Sequence, residues 1–173
     1  MAWTASDRRL LAAAAVFALS QANIARVLGP ATSAVGRIQT AFSAATYRTV
    51  LDGLDADTVL RYRRHYYWDM VHPLIFAIAL QTGARSLAEH RPVPARIRRV
   101  LAVAPAVAAA ADYGENVAGL YLLDHRDHIA DPTVRAATTV STVKWVLALG
   151  SLTYLSQGFL RLWTRAGLRR LGR

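Results

Sequence analysis

Asp112 and Glu115 stand three residues apart inside the apolar run 100–123, VLAVAPAVAAAADYGENVAGLYLL, and Asn116 follows them. Spacing of three places both carboxylates on one face of a helix. A carboxylate at the centre of a membrane helix costs about 2.5–3.5 kcal/mol on insertion scales. That face must therefore meet protein, water or a ligand. Lys144 lies in a later apolar run, and Asp69 and His72 open an earlier one. These six residues could serve three chemistries. They could anchor a small polar or amphipathic molecule, by binding or in transport. The carboxyls and the imidazole could exchange protons in coupled transport. Asp69-x-x-His72 with Asp112-x-x-Glu115 could also hold metal ions, as paired motifs on facing helices do. That pattern is incomplete, with one histidine and a lysine beside the carboxylates, so no metal and no cofactor are assigned.

Two other uses of the same residues stand beside these. An intramembrane enzyme acting on a lipid-like substrate would take His72 or Glu115 as general base. Lys144 would then stabilise developing negative charge. A structural or partner subunit would use Glu115 and Lys144 only as a buried pair that fixes helix register. Alternatively Lys144 only snorkels to the outer interface, and Asp69 only caps or flanks a helix end. His125 and His128 with Asp124 and Asp127 could ligate a surface metal, but loop residues of these types are more often solvated. The sequence holds no nucleophile elbow, Walker loop or dinucleotide fingerprint.

Hydrophobic residues make up 54 % of the 173, clustered in four blocks separated by charge. Such clustering argues for membrane spans. There is no cysteine, which excludes disulfides, iron–sulfur ligation and thiolate zinc. The net charge is +10. Arginines flank the apolar blocks, as positive-inside anchoring requires. No basic helix or aromatic-basic platform stands apart from them, so nucleic acid is not a partner.

The first span covers about 10–28, after Asp7-Arg8-Arg9, with Ser20, Gln21 and Asn23 available to a bundle interior. Its start also has the layout of a signal peptide, but the apolar character runs on through Leu28. Gly29-Pro30 ends it. In 31–65, Phe42, Tyr47, Val50, Leu51 and Leu54 recur at helical spacing and predict an amphipathic outer segment lying at an interface. Ser43 and Asp55 are its candidate N-caps. Arg61, Arg63, Arg64 and His65 lead into Tyr66, Tyr67 and Trp68, the signature of a membrane boundary. The second span is 66–83, kinked at Pro73. A short loop with Arg85, Arg91, Arg96, Arg98 and Arg99 is placed in the cytoplasm. The third span is 100–123, in which Ala104, Ala108, Ala111 and Ala118 suit close helix contact. Asp131-Pro132 starts a helix that carries the fourth span, 136–163. Arg161, Arg165, Arg169, Arg170 and Arg173 close it with a second cytoplasmic flank. The long outer segment carries several arginines, against this rule, diluted by Asp52, Asp55 and Asp57. At 1.5 Å per residue all six candidates lie within about 10–15 Å of the outer surface, so four helices could converge on one polar site.

Asp69-x-x-x-Pro73, then Asp112-Tyr113-Gly114-Glu115-Asn116, then Lys144-Trp145 resembles an uncharacterised group of small bacterial four-span membrane proteins. The resemblance covers about 42–163. It implies a membrane bundle with a shared polar core and carries no activity with it. The chain is thus expected to be an all-α integral membrane four-helix bundle, one domain over 1–173. The expected location is the cell inner membrane, multi-pass, with both termini cytoplasmic. Its expected partners are the lipid bilayer, a small-molecule or lipid ligand, and further copies of itself as a homo-oligomer.

Overall fold

The computed structural model describes residues 3–171, with only the backbone of 169–171. It is all-helical, with no strand among the described residues. Helix α1 (Ala5–Leu28) begins in a reciprocal cap. Thr4 Oγ1 accepts from the Asp7 N–H at 3.2 Å, and Asp7 Oδ2 accepts from the Thr4 N–H at 2.8 Å. Gly29 ends α1 as the sequence predicts, with a φ of 50° that side chains other than glycine's rarely allow. A 3₁₀ turn at Gly29–Ala31 passes into α2 (Thr32–Gln39). Ser43 caps α3 (Ala44–Asp52), its hydroxyl accepting from the Thr46 N–H. Asp55 caps α4 (Ala56–Trp68) through the Thr58 N–H. Then follow α5 (His72–His90), α6 (Ala95–Asp124), a 3₁₀ turn at Arg126–His128 and α7 (Asp131–Leu171). Arg173 and the side chains of Arg169 and Arg170 lie outside the described residues.

Two expectations about the second span are corrected. Tyr66, Tyr67 and Trp68 finish α4, and the next long helix starts only at His72, not at 66. Pro73 does not kink that helix. It sits in its first turn, where a missing N–H costs nothing because no intrahelical acceptor faces it. The outer segment is corrected as well. Its apolar residues Tyr47, Val50 and Leu51 turn into the protein, not toward an interface. With Ile24, Leu28, Ile38, Tyr62, Leu122 and Val134 they form one apolar core at this end of the molecule. Each such side chain, fully buried, contributes about 1.5–3 kcal/mol. Phe42, by contrast, is exposed. Asp131 opens α7, but its carboxylate accepts from the Ala44 N–H at 2.8 Å and so ties α3 to α7.

Antiparallel packing joins α1 to α5, α5 to α6, and α6 to α7, while α5 also touches α7. Small residues permit the close contacts. Ala104 and Ala108 are buried as foreseen, while Ala111 and Ala118 are only half-buried. The tightest approach is at Gly119, where a Cβ would lie 2.2 Å from the Tyr66 ring. Tyr66 is itself buried and donates to the Tyr62 hydroxyl at 2.8 Å. Gly119→Ala must therefore push the ring out of a packed core. A loss of about 1–3 kcal/mol is expected, read as a lower thermal midpoint of the purified protein.

At the opposite end, the start of α1 is fastened to the end of α5. Asp7 accepts from the Ser86 hydroxyl at 2.6 Å and lies 2.9 Å from His90 Nε2, while Ser6 donates to Glu89 at 2.5 Å. Burial pushes the Asp7 carboxyl up. The Ser86 hydroxyl, the Thr4 N–H and His90 outweigh it and hold the group well below the usual carboxylate range. Its contribution to stability is complete above the unfolded value of about 4 and is lost as pH falls below it. The gap in thermal midpoint between the parent and Asp7→Asn is therefore expected to narrow from about pH 5 to about pH 3. A gap constant over that range would deny the clamp this role.

Polarity is inverted across the long helices. Ser86, Asp112, Glu115, Asn116, Ser141, Lys144 and Ser151 are buried. On α6 the exposed side chains Val100, Val103, Val107, Val117 and Tyr121 follow one helical stripe, and on α7 Val143, Val146, Leu149 and Leu152 are exposed. By length and composition one helix among the described residues, Ala5–Gln39 counted through its turn, is apolar enough to cross a membrane. On α6 and α7 the apolar character is interrupted by Asp112, Glu115, Asn116 and Lys144, which build the site.

Candidate functional site

Asp112 and Glu115 share the buried face of α6, and Lys144 meets them from α7. Lys144 Nζ lies 3.1 Å from Asp112 Oδ1 and 2.8 Å from Glu115 Oε2. Only 6 % of Lys144 is exposed, so its stem does not carry the charge out to an interface. The snorkelling alternative is thereby overturned. The ammonium stands between the two carboxylates, where a metal ion would have to lie. It also sits 4.8 Å from the centre of the Trp145 ring.

Gln39, at the end of α2, completes this group. Its amide nitrogen donates to Glu115 Oε1 at 2.6 Å, and its oxygen accepts from Trp145 Nε1 at 3.0 Å. One side chain thus ties α2 to α6 and α7 above the charges. Sequence reasoning missed it. Nothing in the α2 pattern distinguishes Gln39 from Gln21 or Gln81.

Asn116, fully buried, donates from its amide to the Asp69 carbonyl at 3.2 Å and so secures the corner between α4 and α5. Asp69 occupies that corner as the C-cap of α4, its side chain buried beside the other acids. His72 is also brought in, but to a different neighbour. Its Nδ1 lies 2.8 Å from the Ser20 hydroxyl, and its ring lies between Phe17 and Phe76. Among the described residues no carboxylate bonds this imidazole, so the Ser20–His72 pair lacks the third member that orients a catalytic base. Ser20 was foreseen as facing inward. Asn23 instead accepts from Arg26 on the exposed side of α1. His65, not foreseen, packs between Tyr62 and Tyr66, and burial pushes its imidazole down to about 4. It is neutral at physiological pH.

These groups form the floor of a cavity of about 870 Å³. One wall is α1, with Leu10, Phe17 and Ile24. The other is α7, with Leu149, Leu155 and Trp163. Helix α5 runs along the base with Phe76, Leu80 and Gly83. Gly83 lets Leu10 and Leu155 approach from the two sides, at 3.6 and 3.2 Å from where its Cβ would lie. Helix α2 covers the polar end with Val35, Gly36 and Gln39. The cavity is therefore long and apolar, with its charge gathered at one end. All six residues singled out in the sequence lie at that end, five in the lining and Asn116 behind it.

Charge is sorted along the molecule as well. At the α2–α4 end four arginines are paired, Arg61 with Asp57, Arg63 with Asp124, Arg126 with Asp52, and Arg135 with Asp131, while Arg37, Arg48 and Arg64 make no ion pair among the described residues. At the other end Arg8, Arg9, Arg85, Arg91, Arg96, Arg98, Arg99, Arg161 and Arg165 face only Asp7 and Glu89 among the described acids. No family model matches the chain, and no curated protein or solved structure matches it.

Proposed function

We propose that this chain is an integral membrane protein of the cell inner membrane that binds or transports a small polar or amphipathic molecule. The spans are α1, α5, α6 and α7, and both termini are cytoplasmic. The resemblance to small bacterial four-span proteins belongs to the same reading. Three features support the membrane placement: the inverted polarity, the apolar and exposed α1, and the unpaired arginine excess at one end. Ion pairs offset four of the arginines that sit at the other end against the rule.

One observation carries the binding role. A cavity with apolar walls and a buried, hydrogen-bonded set of charges at one end matches a molecule with an apolar body and a polar end. The purified protein is tested by thermal shift against decyl-chain amphiphiles with cationic, anionic, zwitterionic and neutral heads. At least one head class is expected to raise the midpoint. Asp112→Asn and Glu115→Gln are expected to insert normally and to abolish that rise. Failure of both variants to fold, with no amphiphile stabilising the parent, would reduce the cluster to a structural ion pair.

A further inference from the structure

The polar end of the cavity is short of positive charge. Asp69, Asp112 and Glu115 all line it, and Lys144 is the fixed cation among them. Both described ion pairs of Lys144 are already made, to Asp112 and to Glu115. Asp69 has no cation within salt-bridge distance among the described residues, although its side chain is nine-tenths buried. His65 lies among tyrosines and is neutral. Even with His72 charged, three carboxylates would face two cations. A buried carboxylate without a counter-charge is held only at a large cost, so the site draws a proton or a cation. Aromatic faces that favour a weakly hydrated cation are close by: Trp145, Phe17 and Phe76 all line the cavity. The walls beyond them, from Leu80 to Trp163, offer room for a bulky apolar body and no further charge.

We propose that the ligand of this cavity is an organic monocation with a bulky apolar body, its charge seated against Asp69 and Asp112 and its body between α1 and α7. This rests on the binding reading above and adds the sign of the ligand's charge to it. Lys144 then has a second task. By holding Glu115 and one oxygen of Asp112 it leaves the Asp69 side of the floor as the place where the cation fits. An anion of the same shape would meet the same carboxylates and be repelled.

Tetraphenylphosphonium and tetraphenylborate share a shape and differ in the sign of charge, which makes them the probes. Binding of each to the full chain in nanodiscs is measured, with protein-free nanodiscs subtracted. Saturable binding of tetraphenylphosphonium is expected, tighter than that of tetraphenylborate by more than about tenfold. Asp69→Asn and Asp112→Asn are each expected to weaken it, and the comparison of the two ions on the unmodified protein stands even where a variant does not fold. Equal affinity for both ions would overturn the charge assignment and leave the apolar groove as a binding site. Saturable binding of neither ion, nor of any decyl amphiphile, would overturn the binding reading itself.

Discussion

Lys144→Met is expected to destabilise the folded protein by about 3–5 kcal/mol, because it strips the counter-charge from two buried carboxylates at once. Methionine fills nearly the same space, so the loss is electrostatic and not a cavity effect. Asp112 and Glu115 would be left three residues apart on one buried face, with Gln39 the remaining described side-chain donor to Glu115. Isothermal denaturant unfolding in detergent reads the loss. A second variant separates burial from packing. Lys144→Met combined with Asp112→Asn and Glu115→Gln removes the charges together and is expected to recover most of the stability, since neutral amides need no counter-ion. A cost below about 1 kcal/mol for Lys144→Met alone would mean that water screens this pair as it does a surface salt bridge.

That the three charges meet was legible in the sequence, for a physical reason. A carboxylate in an apolar helix has few affordable surroundings, and one lysine at the matching depth on a neighbouring helix supplies them. The helix caps were equally legible. Ser43, Asp55 and the Gly29 stop act locally, through hydrogen bonds and dihedral angles within a few residues of themselves. These signals depend little on the rest of the fold.

What was not legible depends on distant partners. The break between α4 and α5 was hidden because Tyr66, Tyr67 and Trp68 continue an apolar pattern straight into residues 71–80. Pro73 has no N–H to give the Asp69 carbonyl four residues back, and Asn116, forty-seven residues on, takes that acceptor. The outer segment was read as lying at an interface since Tyr47, Val50 and Leu51 form an amphipathic stripe. A stripe of that kind does not say whether it meets lipid or protein, and the core that receives it is assembled from five other helices, α1, α2, α4, α6 and α7. Gly119 carries no local signal of its role, because its partner, the Tyr66 ring, lies on another helix. The clamp of Asp7 on Ser86 and His90 likewise joins segments about eighty residues apart, with no spacing rule to announce it.

Val107→Asp is expected to prevent stable insertion of the chain. Val107 lies near the middle of α6, 43 % exposed, on the apolar stripe that faces away from Asp112. If that stripe meets acyl chains, an aspartate there has no lysine, no amide and no water to accept it, and costs about 2.5–3.5 kcal/mol on insertion scales. Val146→Asp on α7, where the valine is 64 % exposed, is expected to behave the same way. In water the same two changes would replace surface valines by a soluble residue and shift stability by no more than about 0.5 kcal/mol. Carbonate-resistant membrane fractionation and the yield of folded protein in mild detergent read the difference. The comparison with Asp112 makes the test sharp, because that native aspartate, within two turns of Val107 on the same helix, is buried where Val107 is exposed. A Val107→Asp chain that fractionates and unfolds like the parent would place α6 in water, and the four-span reading would fall with it.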